Sequence, residues 1–142
     1  MKIIELIVII FILGVVFTML VSVFSNYRSA GYLIEAETQI IGLLRDARSR
    51  TLASQGNKPY GVHFEETKAV LYIADVAYDQ NALTNEVYML PAGVRISGGV
   101  GTNIVYTQLT GIPVPSGTIT IQLRRDTAQT KIINISPTGV IN

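Results

Sequence analysis

The chain has 142 residues, with 11 basic and 10 acidic side chains and no cysteine. A charge balance this close to neutral argues against a dedicated nucleic-acid binder, which usually carries a basic patch, and the lack of cysteine excludes a disulfide-stapled fold, thiolate metal sites and a cysteine nucleophile. Only 15% of the residues are charged and 12 are glycine, a composition that favours short strands with many turns over a helical bundle.

The N-terminal stretch is an apolar run with one acid near its start. Residues 6–24 carry no charge, and their two hydroxyl side chains, Thr18 and Ser22, can bond back to a carbonyl one turn earlier. About 19 uncharged residues are enough to cross a bilayer as a helix. Glu5 lies at the outer end of the run, where a carboxylate is costly unless it has a partner. A partner on another copy of the chain would serve better than Lys2 or the N-terminal amine.

This pattern resembles the mature N-terminus of type IV pilins and of the pseudopilins of type II secretion. The residues that carry the match are Met1, Ile3, Ile4, Glu5 and Leu6. The resemblance implies cleavage by a prepilin peptidase just before Met1, methylation of the new amine, and pairing of Glu5 with the amine of a neighbouring subunit. Met1 stands where Phe is commoner in the family, and Lys2 where Thr is common. We expect Met1 to be residue 1 of a processed chain whose leader has been removed.

An ordinary signal anchor with a stray acid is the alternative interpretation of the same stretch. Such an anchor normally has a cluster of positive charges before its apolar run. Here only Lys2 and the terminal amine precede it, and we therefore favour the pilin interpretation.

The resemblance also implies how the chain is divided and where it resides. Residues 1–25 are the predicted transmembrane and filament-core half of the N-terminal helix, and residues 26–142 are the predicted globular domain. We expect the chain to lie in the cytoplasmic membrane before the assembly machinery transfers it to an extracellular homo-oligomeric filament. The residues predicted to pack in the filament core are Ile4, Leu6, Ile9, Ile10, Leu13, Gly14 and Phe17.

The helical period continues beyond the apolar run. One face carries Leu33, Ile40, Leu44 and Ala47. This apolar face is widened along one flank by Ile34, Ile41 and Leu52. The apolar stripe narrows at Arg48, which lies on the same flank. We expect the helix to run from about residue 2 to about residue 55 and to end at Gly56-Asn57, because a glycine supplies a left-handed cap. We expect at most a partial loss of helical hydrogen bonds near Gly14, because a glycine destabilises a helix by only about 1 kcal/mol.

From Pro59 the apolar period changes to two, which predicts strands. The predicted strands are residues 60–64, 69–74, 86–90, 94–96, 104–109, 118–123 and 131–135, with a short last strand at 140–141. Residues 111–117, with two prolines, are a predicted loop. The fold class is therefore α+β: a pilin fold, with one long N-terminal helix packed on an antiparallel β-sheet domain.

The C-terminal stretch 133–141 resembles the minor pseudopilin H and FimT-like group, in which a strand and a glycine turn precede a short terminal strand. Three helical residues and the strand 62–64 add to this second match. The helical residues are Ala47, Arg48 and Ala53.

Residues that carry chemistry are few. His63 is the only histidine, so no second imidazole completes a metal site, and its position between Val62 and Phe64 is typical of a structural residue. Asp75 and Asp79 lack the spaced acidic run of a calcium loop, which favours a solvated loop. We expect no enzymatic activity, no cofactor and no metal site.

A basic cluster is the candidate DNA contact. It consists of Arg124 and Arg125 at a predicted hairpin tip, with Lys131 close by. Three charges without interleaved aromatic residues are more typical of a solvated turn, so DNA is the lesser hypothesis.

The sequence thus predicts a structural subunit of a type IV pilus-like filament, with the main repeating subunit as the first hypothesis. A minor pilin or pseudopilin that primes assembly in secretion or DNA uptake is the second. A membrane-anchored binding domain that does not polymerise is the third.

Overall fold

The computed structural model of the chain describes residues 3–99 and 101–142, with the side chains of all of these except 21–27 and 55. The chain divides into two compact units, Met1–Gly31 and Tyr32–Asn142. Met1, the predicted processing site, lies outside the described residues.

Helix α1 spans Ile3–Leu52, close to the predicted range of 2–55. Its first turn contains Glu5 and its last turn Arg50, the signs that the helix dipole favours at each end. The backbone stays helical through Gly14, where at most a partial loosening was expected. A short 3-10 turn, Gln55–Asn57, follows, and Gly56 has a φ of 64° there. The predicted left-handed glycine therefore lies just beyond the last turn of α1.

The strands after α1 form two antiparallel sheets, so the predicted α+β class is confirmed. In the part of the chain that is described, the strands are β1 (Tyr60–Phe64), β2 (Lys68–Ile73), β3 (Glu86–Met89), β4 (Val94–Gly98), β5 (Asn103–Tyr106), β6 (Pro113–Val114), β7 (Gly117–Leu123) and β8 (Thr130–Ile135). One sheet has the order β3-β2-β1-β5-β6 and the other the order β4-β7-β8.

Three details of the predicted strands differ from the structure. Residues 111–117 were predicted as a loop but contain β6, because two residues are too few to show an alternating pattern. The strand predicted at 104–109 ends at Tyr106. Leu109 has a φ of 71°, which an extended strand does not allow. The predicted last strand is a single bridge between Ile135 and Ile141.

The core of the second unit lies between one face of α1 and the inner faces of the strands. The four residues predicted for that face are all buried: Leu33, Ile40, Leu44 and Ala47. The largest fully buried side chains in the same core are those of Phe64 and Tyr106. Ile34 and Leu52 were expected to widen the face but are exposed, because each lies at the rim of a narrow apolar stripe. Ile41 is partly buried, as a flanking residue should be.

Candidate functional site

An exposed apolar segment occupies the start of α1. Ile3–Leu20 is long and apolar enough to cross a membrane, and none of it is buried within the chain. Its large apolar side chains are each between 40% and 81% exposed. Soluble monomers rarely expose a continuous apolar surface of this extent. The segment is therefore suited to anchoring the chain in a membrane, a property of length and composition that signal sequences share.

The predicted filament-core residues all lie on this segment. Each of the large ones is exposed: Ile4, Leu6, Ile9, Ile10, Leu13 and Phe17. A Cβ built on Gly14 would meet nothing within 4 Å, so packing within the chain does not require a glycine there. A bare backbone at that point lets another helix approach closely.

Polar groups on the segment are few and locally arranged. Thr18 Oγ1 donates a hydrogen bond of 2.7 Å to the carbonyl oxygen of Val15, as its position in the apolar run predicted. A hydroxyl satisfied within its own helix can enter an apolar environment without losing a partner. Glu5 is exposed in the first turn of α1. Glu5 is predicted to pair with the amine of Met1 in a neighbouring subunit, and Met1 lies outside the described part of the chain.

The basic cluster considered for DNA is largely neutralised by carboxylates. Arg124 Nη2 lies 3.5 Å from Glu66 Oε1, and Lys131 Nζ lies 3.1 Å from Glu37 Oε2. Arg125 is exposed at the turn after β7. Because two of the three cations already have anionic partners, the cluster is a weak site for phosphate.

The imidazole of His63 has a structural environment. Its Nδ1 lies 2.6 Å from Asn103 Oδ1, and its ring stacks on that of Tyr78 with 3.9 Å between centroids. The stacking holds the loop after β2 against β1, and the contact with Asn103 joins β1 to β5.

The two aspartates considered for calcium serve local contacts. Lys58 Nζ lies 2.6 Å from Asp75 Oδ2, and this partner holds the pKa of the Asp75 carboxyl below its usual value. Asp79 Oδ1 accepts a hydrogen bond from the Asn81 amide. Among residues 3–99 and 101–142, no cluster of three or more metal-ligating side chains is present.

One contact of the second unit was missed at the sequence level. Arg48 Nε donates a hydrogen bond of 3.1 Å to the carbonyl oxygen of Gly111, which lies 63 residues away. Gly139 has a φ of 81°, and a Cβ there would lie 2.9 Å from Gly111 O and 3.1 Å from Arg48 Cζ. The C-terminal glycine turn therefore packs directly on the helix. The one available signal was a charged Arg48 on the apolar flank of α1.

Comparison with protein-family models, with curated proteins and with solved structures finds no match for this chain.

Proposed function

We propose that this protein is a structural subunit, the main repeating one, of an extracellular type IV pilus-like helical filament. The observation that carries the proposal is the exposed apolar segment Ile3–Leu20, joined to a domain in which a helix packs on antiparallel strands. A membrane covers this segment before assembly, and the same segments of sister subunits cover it afterwards. The proposal includes no enzymatic activity.

Packing selects the register of the subunits in this proposal. Transfer from lipid to a bundle of helices gains little hydrophobic energy, because both surroundings are apolar. The interactions that specify the register are then the close approach of helices at Gly14 and a charge pair formed by Glu5. A carboxylate in a dry helix bundle is costly unless a cation neutralises it. The amine of a neighbouring subunit neutralises it at one axial offset only.

A Glu5→Gln variant tests the proposal. Cells that contain the assembly machinery would express the full chain, and sheared filaments would be quantified against the membrane-bound subunit. We expect loss of filaments with an unchanged membrane pool, because the variant keeps the side-chain shape and removes the charge. Glu35→Gln, which alters an exposed carboxylate of the same helix, should assemble normally. Normal filament yield from Glu5→Gln would overturn the proposal.

Mass spectrometry of the native N-terminus separates the proposal from a membrane-anchored domain that does not polymerise. The filament subunit predicts cleavage just before Met1 and a methylated amine. An unmethylated terminus on a detergent-solubilised monomer would favour the anchored domain instead.

A second candidate function is a minor pilin or pseudopilin that primes assembly in type II secretion or DNA uptake. The contact between Arg48 and the Gly139 turn favours it, because both residues belong to the resemblance with the minor pseudopilin H and FimT-like group. Labelling along isolated fibres distinguishes the two functions. A main subunit is present along the whole length, and a priming subunit is confined to the tip.

A further inference from the structure

A groove of about 790 Å³ lies in the second unit between the last turns of α1 and the C-terminal segment. It is lined by Arg45, Arg48, Ser49, Leu52, Ala53 and residues 139–142. The described residues that line it include two arginines and neither aspartate nor glutamate. The groove is therefore positive on its helical wall, and its opposite wall combines the apolar Val140 and Ile141 with the polar Asn142.

The helical wall presents two guanidinium groups. Arg45 and Arg48 are three residues apart, so they lie on the same side of α1. Arg48 is held in place, because its Nε donates to Gly111 O and its Cζ packs against the Gly139 turn. Within the described part of the chain, neither arginine forms an ion pair, and Arg48 uses only its Nε in a hydrogen bond. A fixed guanidinium with two unused amino groups loses little entropy when it binds a carboxylate.

The opposite wall is the C-terminal segment, which meets β8 at the single bridge between Ile135 and Ile141. Asn134 and Asn142 exchange backbone hydrogen bonds of 2.8 and 3.1 Å, and the Ser136 amide donates to Val140 O at 2.9 Å. Bonds of an antiparallel pair alternate in direction, so the amide and carbonyl of Ile141 face away from β8. An extended peptide can hydrogen-bond to main-chain groups that face outward in this way through its own main chain.

We infer that this groove binds an extended peptide segment of a partner protein that carries a carboxylate side chain. The carboxylate pairs with Arg45 and Arg48, and the apolar lining formed by Leu52, Ala53 and Val140 accepts neighbouring aliphatic side chains. None of the described residues that line the groove is aromatic, whereas single-stranded nucleic acid is usually held by stacking on aromatic rings. The inference goes beyond the proposed filament and does not depend on it.

A fluorescein-labelled peptide that alternates valine and glutamate tests the inference. Full chain in nonionic detergent would be titrated into this peptide and binding followed by fluorescence polarisation. We expect saturable binding that weakens about tenfold in Arg45→Glu, because one charged hydrogen-bond donor is lost and a repulsive charge is added. Ser49→Glu should weaken binding in the same direction. Arg125→Glu, which reverses an exposed arginine far along the chain, should bind as the parent does.

Three outcomes would overturn the inference. One is equal binding of a control peptide in which lysine replaces glutamate, since the charges of the groove would then have no influence. Another is an equal loss in Arg125→Glu and Arg45→Glu. The third is binding of a single-stranded oligonucleotide that Arg45→Glu abolishes while the acidic peptide does not bind, which would assign the groove to nucleic acid.

Discussion

The phenol of Tyr106 is fully buried in the core. Its hydroxyl makes no hydrogen bond to any residue of the described part of the chain. Burial raises the pKa of this group to about 12, mainly because the charged form is poorly solvated there. A buried hydroxyl without a partner costs stability that the aromatic ring alone does not. Removing only the hydroxyl of Tyr106 therefore tests how much its burial costs in stability.

We expect Tyr106→Phe to be neutral or to stabilise the domain by about 1 kcal/mol at neutral pH. The unfolded phenol ionises near its ordinary value of 10 and the folded one near 12. The folded state thus holds more protons between these values, and its stability falls as the pH rises from 10 to 12. The variant should escape up to about 3 kcal/mol of that loss.

Unfolding of the full chain in detergent, followed by near-ultraviolet circular dichroism at pH 7 and pH 11.5, measures both effects. Tyr32→Phe, at a partly buried position on α1, should keep the alkaline loss of the parent. Parallel pH curves for Tyr106→Phe and the parent would contradict the assignment.

A second residue-scale prediction concerns Gly139. Its φ of 81° strains any residue with a Cβ, and the Cβ itself would press on Gly111 O. Gly93 has a similar φ of 87° with nothing within 4 Å of its Cβ position, so it isolates the backbone cost. We expect Gly139→Ala to destabilise the domain by about 1–3 kcal/mol and clearly more than Gly93→Ala does. Equal melting temperatures for the two variants would show that the close packing on Arg48 is unimportant.

At the scale of elements, one ion pair joins α1 to the edge strand β3. Arg50 bonds both carboxylate oxygens of Glu86 and also Asp46, at 2.8 Å between Nη2 and Oδ2. Its guanidinium lies 5.9 Å from the centre of the Tyr60 ring. Hydrogen bonding to Arg50 is the main reason that the pKa of Glu86 is lowered. The helix end is thereby attached to a strand that has a neighbour on one side only.

Replacing Glu86 by Gln should cost about 1 kcal/mol or less, since the pair is partly exposed to solvent. The unfolded carboxyl takes up a proton near pH 4.5 and the folded one only at lower pH. The contribution of the pair is therefore present above pH 4.5 and lost as the pH falls below it. Acid unfolding curves of the parent and of Glu86→Gln should converge at low pH. A separation between the two curves that does not narrow as the pH falls below 4.5 would contradict this role.

At the scale of the whole molecule, the chain comprises two units, of which one exposes an apolar segment and the other has its own core. The unit Met1–Gly31 contains an apolar segment that the described residues of the chain do not bury. The unit Tyr32–Asn142 has its own core, formed by one face of α1 and the inner faces of the strands. Solubility should therefore be set by the first unit and folding by the second.

We expect the full chain to enter the detergent phase in a Triton X-114 separation, because its exposed apolar segment is covered by the micelle. A shortened chain that begins at Arg28 should stay in the aqueous phase and keep the circular dichroism of its strands. Equal partitioning of the two chains would contradict a membrane or filament role for residues 3–20. Replacing Asn26 and Tyr27 in the full chain should leave the partitioning unchanged, since the apolar segment remains intact.

The sequence by itself determined what depends on neighbours a few residues apart. Helical spacing predicted α1 and its buried face, alternation predicted seven strands to within a few residues, and length with composition predicted a segment able to span a membrane. Only the tertiary structure decided which strands share a sheet, that Tyr106 lies buried with no hydrogen bond to a described residue, and that Arg48 meets Gly111 and Gly139. Periodicity records the face that a side chain takes on its own element. Contacts between residues more than sixty positions apart form only when the chain closes around a common core, and no local pattern encodes them.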